Sequence, residues 1–243
     1  SFRLVYLGDG ANTPYGNHTA EEILTMTRYM LRFMEEKGVK ALLVACNTIS
    51  CLIDQYRDEM SCPVLSVVQA GADAVKDLDV HKVGVISTCF TASTHCYPDL
   101  IGKAAPDKVV ISHGCPDLAN VVERNVGRPE GQALIDADVQ KNLEGLVRDE
   151  QIECCVLGCT HYPLLTDIIR EIMGPEVSLV NAGAESVHTL HDALARRQLL
   201  ASEGTGQALL CTSDRPEGFG QMARRFLQEE PTAPVRLVDI ERY

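Results

Sequence analysis

The chain has 243 residues, room for one large domain or two small ones. Apolar residues make up 45% and charged residues 23%, the balance of an ordinary globular protein, and with aromatics at 5% and no Trp the core must be aliphatic. A net charge of −12 argues against a nucleic-acid partner, and no apolar stretch approaches the ~18–20 residues of a membrane helix.

Short apolar runs alternate with longer helical periodicity, which predicts a mainly parallel sheet flanked by helices. The first predicted strand, Arg3–Leu7, runs into the turn-rich Asp9-Gly10-Ala11-Asn12-Thr13-Pro14-Tyr15-Gly16. Its Gly and Pro content lets backbone N–H groups approach a ligand closely, although a plain surface loop has the same composition. Thr19-x-x-Glu22 is a capping-box pattern. Ile23, Met26, Met30, Phe33 and Met34 follow at helical spacing, and Gly38 marks the stop.

The next strand, Lys40–Ala45, reads as buried and ends in Cys46-Asn47-Thr48. The chain then turns into a helix with Thr48-Ile49-Ser50 in its first turn. Such a helix start would lower the pKa of a nearby thiol and offer N–H groups to a carboxylate; a buried Cys with an Asn-Thr cap is the plainer alternative. Strands follow at Pro63–Val67 and Lys82–Ser87, the latter leading into Ser87-Thr88-Cys89-Phe90-Thr91, whose hydroxyls suit either a carboxylate or an ordinary helix cap.

Beyond the strand Lys108–Ser112, Cys115-Pro116 precedes a short helical stretch carrying Glu123. A helix is predicted over 131–148, with Leu134, Ala137, Val139, Leu143, Leu146 and Val147 on roughly one face. The strand Glu153–Leu157 ends in Gly158-Cys159-Thr160-His161-Tyr162-Pro163. A Cys and a His two residues apart at a strand-to-helix junction can form a thiol–imidazole pair, and Pro163 suits the first turn of the helix that follows. A strand at Val177–Val180, a helix over 185–200 with Val187, Leu190, Leu194 and Leu199 inward, and strands at Gln207–Cys211 and Val235–Val238 complete the chain.

The two thiol-ended strands stand in a faint two-fold repeat of polar turn, helix and apolar strand, and a matched pair of thiols suits chemistry in which one takes a proton and the other gives one. The fold expected is α/β, with two similar lobes and the site in the cleft between them. Ten cysteines without a C-x-x-C pair support neither a zinc ribbon nor a thioredoxin-like motif. Most of them, Cys51, Cys62, Cys89, Cys96, Cys115, Cys154, Cys155 and Cys211, read as small buried hydrophobes in a reducing cytosol. His188 and His191 lie one turn apart without a third metal ligand and read as surface or interface residues.

Taken together, Tyr6-Leu7-Gly8-Asp9 with Pro14-Tyr15-Gly16, Ala45-Cys46-Asn47-Thr48, Thr88-x-x-Thr91 up to Tyr97, Cys115-Pro116 with Glu123, Gly158-Cys159-Thr160-His161-Tyr162-Pro163, and Thr212-Ser213-Asp214 with Phe219 closely resemble the glutamate racemases of the aspartate/glutamate racemase superfamily. The resemblance implies two pseudosymmetric three-layer α/β lobes, expected at 1–67 with 182–243 and at 68–181. It implies interconversion of L- and D-glutamate without pyridoxal phosphate or metal, in the bacterial cytoplasm, by a homodimer supplying D-glutamate for peptidoglycan. By the same resemblance Cys46 would take the α-proton of the D-isomer and Cys159 that of the L-isomer. Glu123 and His161 would assist Cys159. Asn47, Thr48, Thr88, Thr91 and Thr160, with Pro14, Tyr15 and Gly16, would hold the substrate.

Members of the family carry an Asp-Ser-Gly segment on a strand upstream of the Tyr-x-Gly-Asp turn. It is expected to precede Ser1, and Asp9 matches a different family position. Asn181 stands where relatives often have Asp. The alternatives are an aspartate or hydantoin racemase of the same superfamily, an inactive ligand-binding relative, and a Cys–His hydrolase, which would leave the second thiol motif unexplained.

Overall fold

The structure is a computed structural model and describes residues 3–201, 206–231 and 233–243. In chain order its strands and α-helices are β1 (Arg3–Gly8), α1 (Ala20–Glu36), β2 (Leu42–Val44), α2 (Asn47–Ser50), β3 (Val64–Ser66), α3 (Val67–Lys76), β4 (Lys82–Ser87), α4 (Cys89–Ser93), α5 (Cys96–Ala104), β5 (Val109–Gly114), α6 (Leu118–Asn125), α7 (Gln132–Gly145), β6 (Cys154–Gly158), α8 (Thr166–Met173), β7 (Ser178–Val180), α9 (Ala182–Arg196), β8 (Gln207–Thr212), α10 (Pro216–Leu227) and β9 (Val235–Leu237). Every predicted strand is present to within one or two residues at its ends. The chain divides into two compact units, one of Ser1–Leu42, Leu52–Val64 and Leu190–Tyr243, the other of Leu43–Cys51 and Leu65–Thr189. The segments 43–51, 65–67 and 182–189, expected with the first lobe, group with the second unit.

In the first unit, β1, β8 and β9 form a parallel sheet in which Arg3 to Gly8 pair with Gln207 to Thr212. Thr19 caps α1: its hydroxyl accepts from the Glu22 N–H, and the Glu22 carboxylate accepts from the Thr19 N–H at 2.8 Å. Two of the four orphan donors of the helix start are thereby satisfied. Gly38 sits past its end at φ +62°, a conformation only glycine adopts without strain. Phe33 of α1 meets the Tyr243 ring edge-on at 5.4 Å.

In the second unit, β5-β4-β6-β7 form an all-parallel sheet, with Ser87 in register with both Gly114 and Gly158. Both of its faces are covered, which explains the unbroken apolar runs in its strands. Val83, Val85, Cys154 and Val156 face α3 and α5, packing on Val68, Val75, Tyr97 and Ile101. Ile86, Cys155 and Leu157 point the other way, toward Leu118, Ile135, Val139, Leu143 and Ile169 of α6, α7 and α8. Strand alternation thus distributes one strand between two cores, and each fully buried aliphatic side chain contributes on the order of 1.5–3 kcal/mol.

Four expectations need correction. The strand before Cys46 is half-buried along Leu42–Val44 and, among the described residues, pairs with β3 alone. On α7 the inward residue is Ile135, while Leu134 is 60% exposed. The 146–150 stretch continues α7 as a single π turn. On α9 the buried positions are Ala182, Ser186 and Ala193, and Val187 is exposed. Cys89 is exposed and Cys51, Cys62 and Cys96 are half-buried; Cys115, Cys154, Cys155, Cys159 and Cys211 are buried, and all ten cysteines are free thiols. Asn181 has a local role: its Oδ1 accepts from the Ala184 N–H at 3.2 Å, capping α9.

Candidate active site

The parallel register of the second unit collects its chemistry at one sheet edge. β5, β4 and β6 end level with one another at Gly114, Ser87 and Gly158, so Cys115, Thr88 and Cys159 all follow at the carboxyl edge, where open α/β sheets place their ligands. The Cys46 turn belongs to this same unit.

Cys159 is buried, and its sulfur lies 3.6 Å from Nδ1 of His161. The other ring nitrogen, Nε2, lies 3.6 Å from the Glu123 carboxylate, which α6 brings in from a separate element. Burial opposes protonation of His161, but the contacts with Cys159 and Glu123 outweigh it and raise the imidazole to about 9. Glu123 is held below the usual carboxylate range, chiefly by its hydrogen bond from His161. Thr160, between the two, is exposed.

Cys46 is the N-cap residue of α2; its side chain makes no capping hydrogen bond, and the N–H groups of Thr48 and Ile49 belong to the helix start beside it. These donors favour the thiolate, as the sequence suggested, yet the surrounding protein pushes the thiol up to about 11, with the charge on Cys159 adding to the rise. Desolvation therefore wins over the helix start.

Beside Cys46, three hydroxyls form a closed cluster. Thr48 Oγ1 lies 3.2 Å from that of Thr88 and 3.4 Å from that of Thr91, and Thr88 donates to Thr91 at 3.1 Å. The Thr88 oxygen also accepts from the Thr91 N–H, so Thr88 is both the N-cap of α4 and a member of the cluster. Asn47 is buried and its Oδ1 accepts from the Tyr97 hydroxyl at 2.7 Å.

Pro14, Tyr15 and Gly16 belong to the first unit. There the buried Asp9 carboxylate accepts from Asn12 at 2.9 Å, from the Tyr15 hydroxyl, and from Ser213 at 2.5 Å, tying the loop to the segment after β8. The sequence reading passed over Asp9 as an anchor, and over Tyr97. Neither has a local signature, because each partner comes from a distant stretch of chain. Among the described residues no group of three His, Cys, Asp or Glu side chains is arranged to hold a metal ion, and no helix is long and apolar enough to cross a membrane.

A thiol–imidazole–carboxylate row thus stands at the carboxyl edge of a parallel α/β sheet, and a second thiol lies in the same unit. The chain belongs to the Asp/Glu/Hydantoin racemase family, whose sequence model matches residues 2–189, and is an amino-acid racemase. It is 36% identical over 230 residues to the glutamate racemase of Streptococcus uberis, covering 93% of this chain and 85% of that protein. Its structure is similar to that of glutamate racemase isoform RacE1 from Bacillus anthracis, with a TM-score of 0.90 and 32% identity over 97% of this chain and 87% of that one. It is also similar to the Francisella tularensis glutamate racemase solved in complex with D-glutamate, with a TM-score of 0.88 and 28% identity over 98% of this chain and 88% of that one.

Proposed function

We propose that this protein interconverts L- and D-glutamate by a two-thiol proton transfer at Cα, without a cofactor. The observation that carries the reading is that Cys46 and Cys159 lie in the same compact unit, Cys159 at the sheet's carboxyl edge beside His161 and Cys46 at the start of α2. An amino-acid α-proton is very weakly acidic, so a base alone is insufficient. Donors must also meet the carboxylate as it becomes enolate-like, in a site cleared of water. Asn47 and the Thr48–Thr88–Thr91 hydroxyls are groups of that kind.

For substrate entering as the L-isomer, the Cys159 thiolate takes the α-proton and the C–H electron pair moves into the carboxylate. The Cys46 thiol, kept protonated at neutral pH by its surroundings, then gives its proton to the opposite face. Cys46 is left as thiolate and Cys159 as thiol, which is the form that processes the D-isomer in reverse. His161, bonded to both Cys159 and Glu123, assists the Cys159 side. The names of the relatives support glutamate as the substrate. With them goes the reading of a cytoplasmic bacterial homodimer whose product enters peptidoglycan.

The test is a substrate panel of glutamate, aspartate and hydantoins in D2O, followed by circular dichroism and by loss of the α-proton signal in NMR. Glutamate should invert with deuterium entering at Cα. Inversion of aspartate but not glutamate would overturn the substrate assignment, and no α-exchange with any of them would overturn racemase activity itself.

A further inference from the structure

Tyr97 touches both thiol-bearing turns of the second unit. It is the second residue of α5, only 1% exposed, and its hydroxyl donates to Asn47 Oδ1 at 2.7 Å, next in chain to Cys46. Its ring lies between two glycines. A Cβ at Gly158, next in chain to Cys159, would stand 3.2 Å from Tyr97 Cε2, and a Cβ at Gly71 would stand 3.1 Å from the Tyr97 hydroxyl oxygen. The glycines make space for the ring, the ring sets where the hydroxyl lies, and the hydroxyl occupies the amide oxygen of Asn47.

We infer that Tyr97 is a positioning residue that fixes the orientation of the Asn47 side-chain amide, so that its NH2 group, and not its carbonyl, is turned toward a bound carboxylate; this rests on the proposed reading of the site as a glutamate-binding one. An amide free to rotate presents either end. With the carbonyl turned inward it repels an anionic ligand instead of holding it. Asn47 Oδ1 is committed to an O–H donor, so the two N–H bonds are what the amide has left to offer. Burial keeps the phenol far above its ordinary pKa, so it remains a donor throughout the working pH range.

Tyr97→Phe removes the hydroxyl and keeps the ring between its glycines. The expected result is a KM for glutamate raised about 10–100-fold, the worth of one hydrogen bond to a charged ligand, with kcat changed much less. In an Asn47→Ala background the same change should add nothing to KM, because the amide it orients is gone. Tyr97→Phe with an unchanged KM, or with an effect that simply adds to that of Asn47→Ala, overturns the inference. Should Tyr97→Phe not fold, the Asn47 side-chain NH2 resonances of the unmodified protein decide. They should shift on titration with D-glutamate, and resonances that stay still overturn it. Failure of the underlying reading looks different: the unmodified protein then shows no glutamate turnover before any variant is made, and the inference falls with it.

Discussion

The imidazole of His161 stands 3.6 Å from the sulfur of Cys159, two residues before it in the chain, and has its far nitrogen turned to Glu123. Two residues of separation at the end of a strand suffice because Thr160 between them points out to solvent while the flanking side chains turn inward. The row of sulfur, imidazole and carboxylate leads to the first prediction. His161→Gln, which keeps a polar side chain but loses the protonated ring, should lower kcat by about 10²–10⁴-fold, the usual worth of a positioned proton-transfer group. Glu123→Gln should have a smaller effect, since it acts through the ring. Steady-state rates in both directions check this, and a larger loss for Glu123→Gln than for His161→Gln would invert the assignment.

Stability should depend on pH through the same imidazole. The folded value of about 9 lies above the ordinary 6.5, so the native state binds the extra proton between these limits. The resulting stabilisation is complete below pH 6.5 and lost as pH rises through about 9. A shift of this size corresponds to on the order of 1–3 kcal/mol. Urea midpoints across that window should therefore fall more steeply for the native sequence than for His161→Gln, and parallel curves would refute the link.

On the proposed two-thiol reading, Cys46→Ala and Cys159→Ala should each abolish racemisation, because each would remove one of the two groups that exchange the α-proton. Polarimetric assays with L- and D-glutamate as starting material measure this directly. Full turnover by either variant would contradict the two-base scheme.

Asp9 is a buried carboxylate serving three donors. Asp9→Ala strands those donors and should destabilise the protein by roughly 2–3 kcal/mol, as expected for lost hydrogen bonds to a charged acceptor. A melting temperature within a degree of the native value would show the network to be dispensable.

Gly158→Ala places a Cβ 2.9 Å from the carbonyl oxygen of Ile86 and against the Tyr97 ring. The carbonyl belongs to the neighbouring strand and cannot move aside cheaply, so a cost of about 1–3 kcal/mol is expected, the ordinary range for overpacking. Denaturant unfolding measures it; a neutral substitution would mean that the turn before Cys159 gives more readily than its packing indicates.

The strands were legible in the sequence because a parallel sheet covered on both faces writes itself as unbroken apolar runs. Cys154 to Leu157 is the plainest case, its side chains shared between two cores. Helix faces were read less well. α7 has apolar residues on several sides, so spacing alone could not choose between Leu134 and Ile135, and the packing of α6 and α8 decides. For Cys46 the sequence showed the helix start but not the crowding around the sulfur, and the crowding has the larger effect. Asp9 with Ser213, and Tyr97 with Asn47, pair residues from remote parts of the chain, and no local pattern announces such a meeting.

Cys89 opens α4 and is exposed, while Cys159 and four other thiols are buried. An alkylating reagent added to the native protein will thus find Cys89 early, one residue from Thr88 and its hydroxyl cluster. Inactivation by such reagents cannot be credited to Cys46 or Cys159 until Cys89 has been replaced by serine. With the half-buried Cys46, Cys51, Cys62 and Cys96 replaced instead, Cys89 becomes a convenient address for a fluorophore beside the hydroxyl cluster.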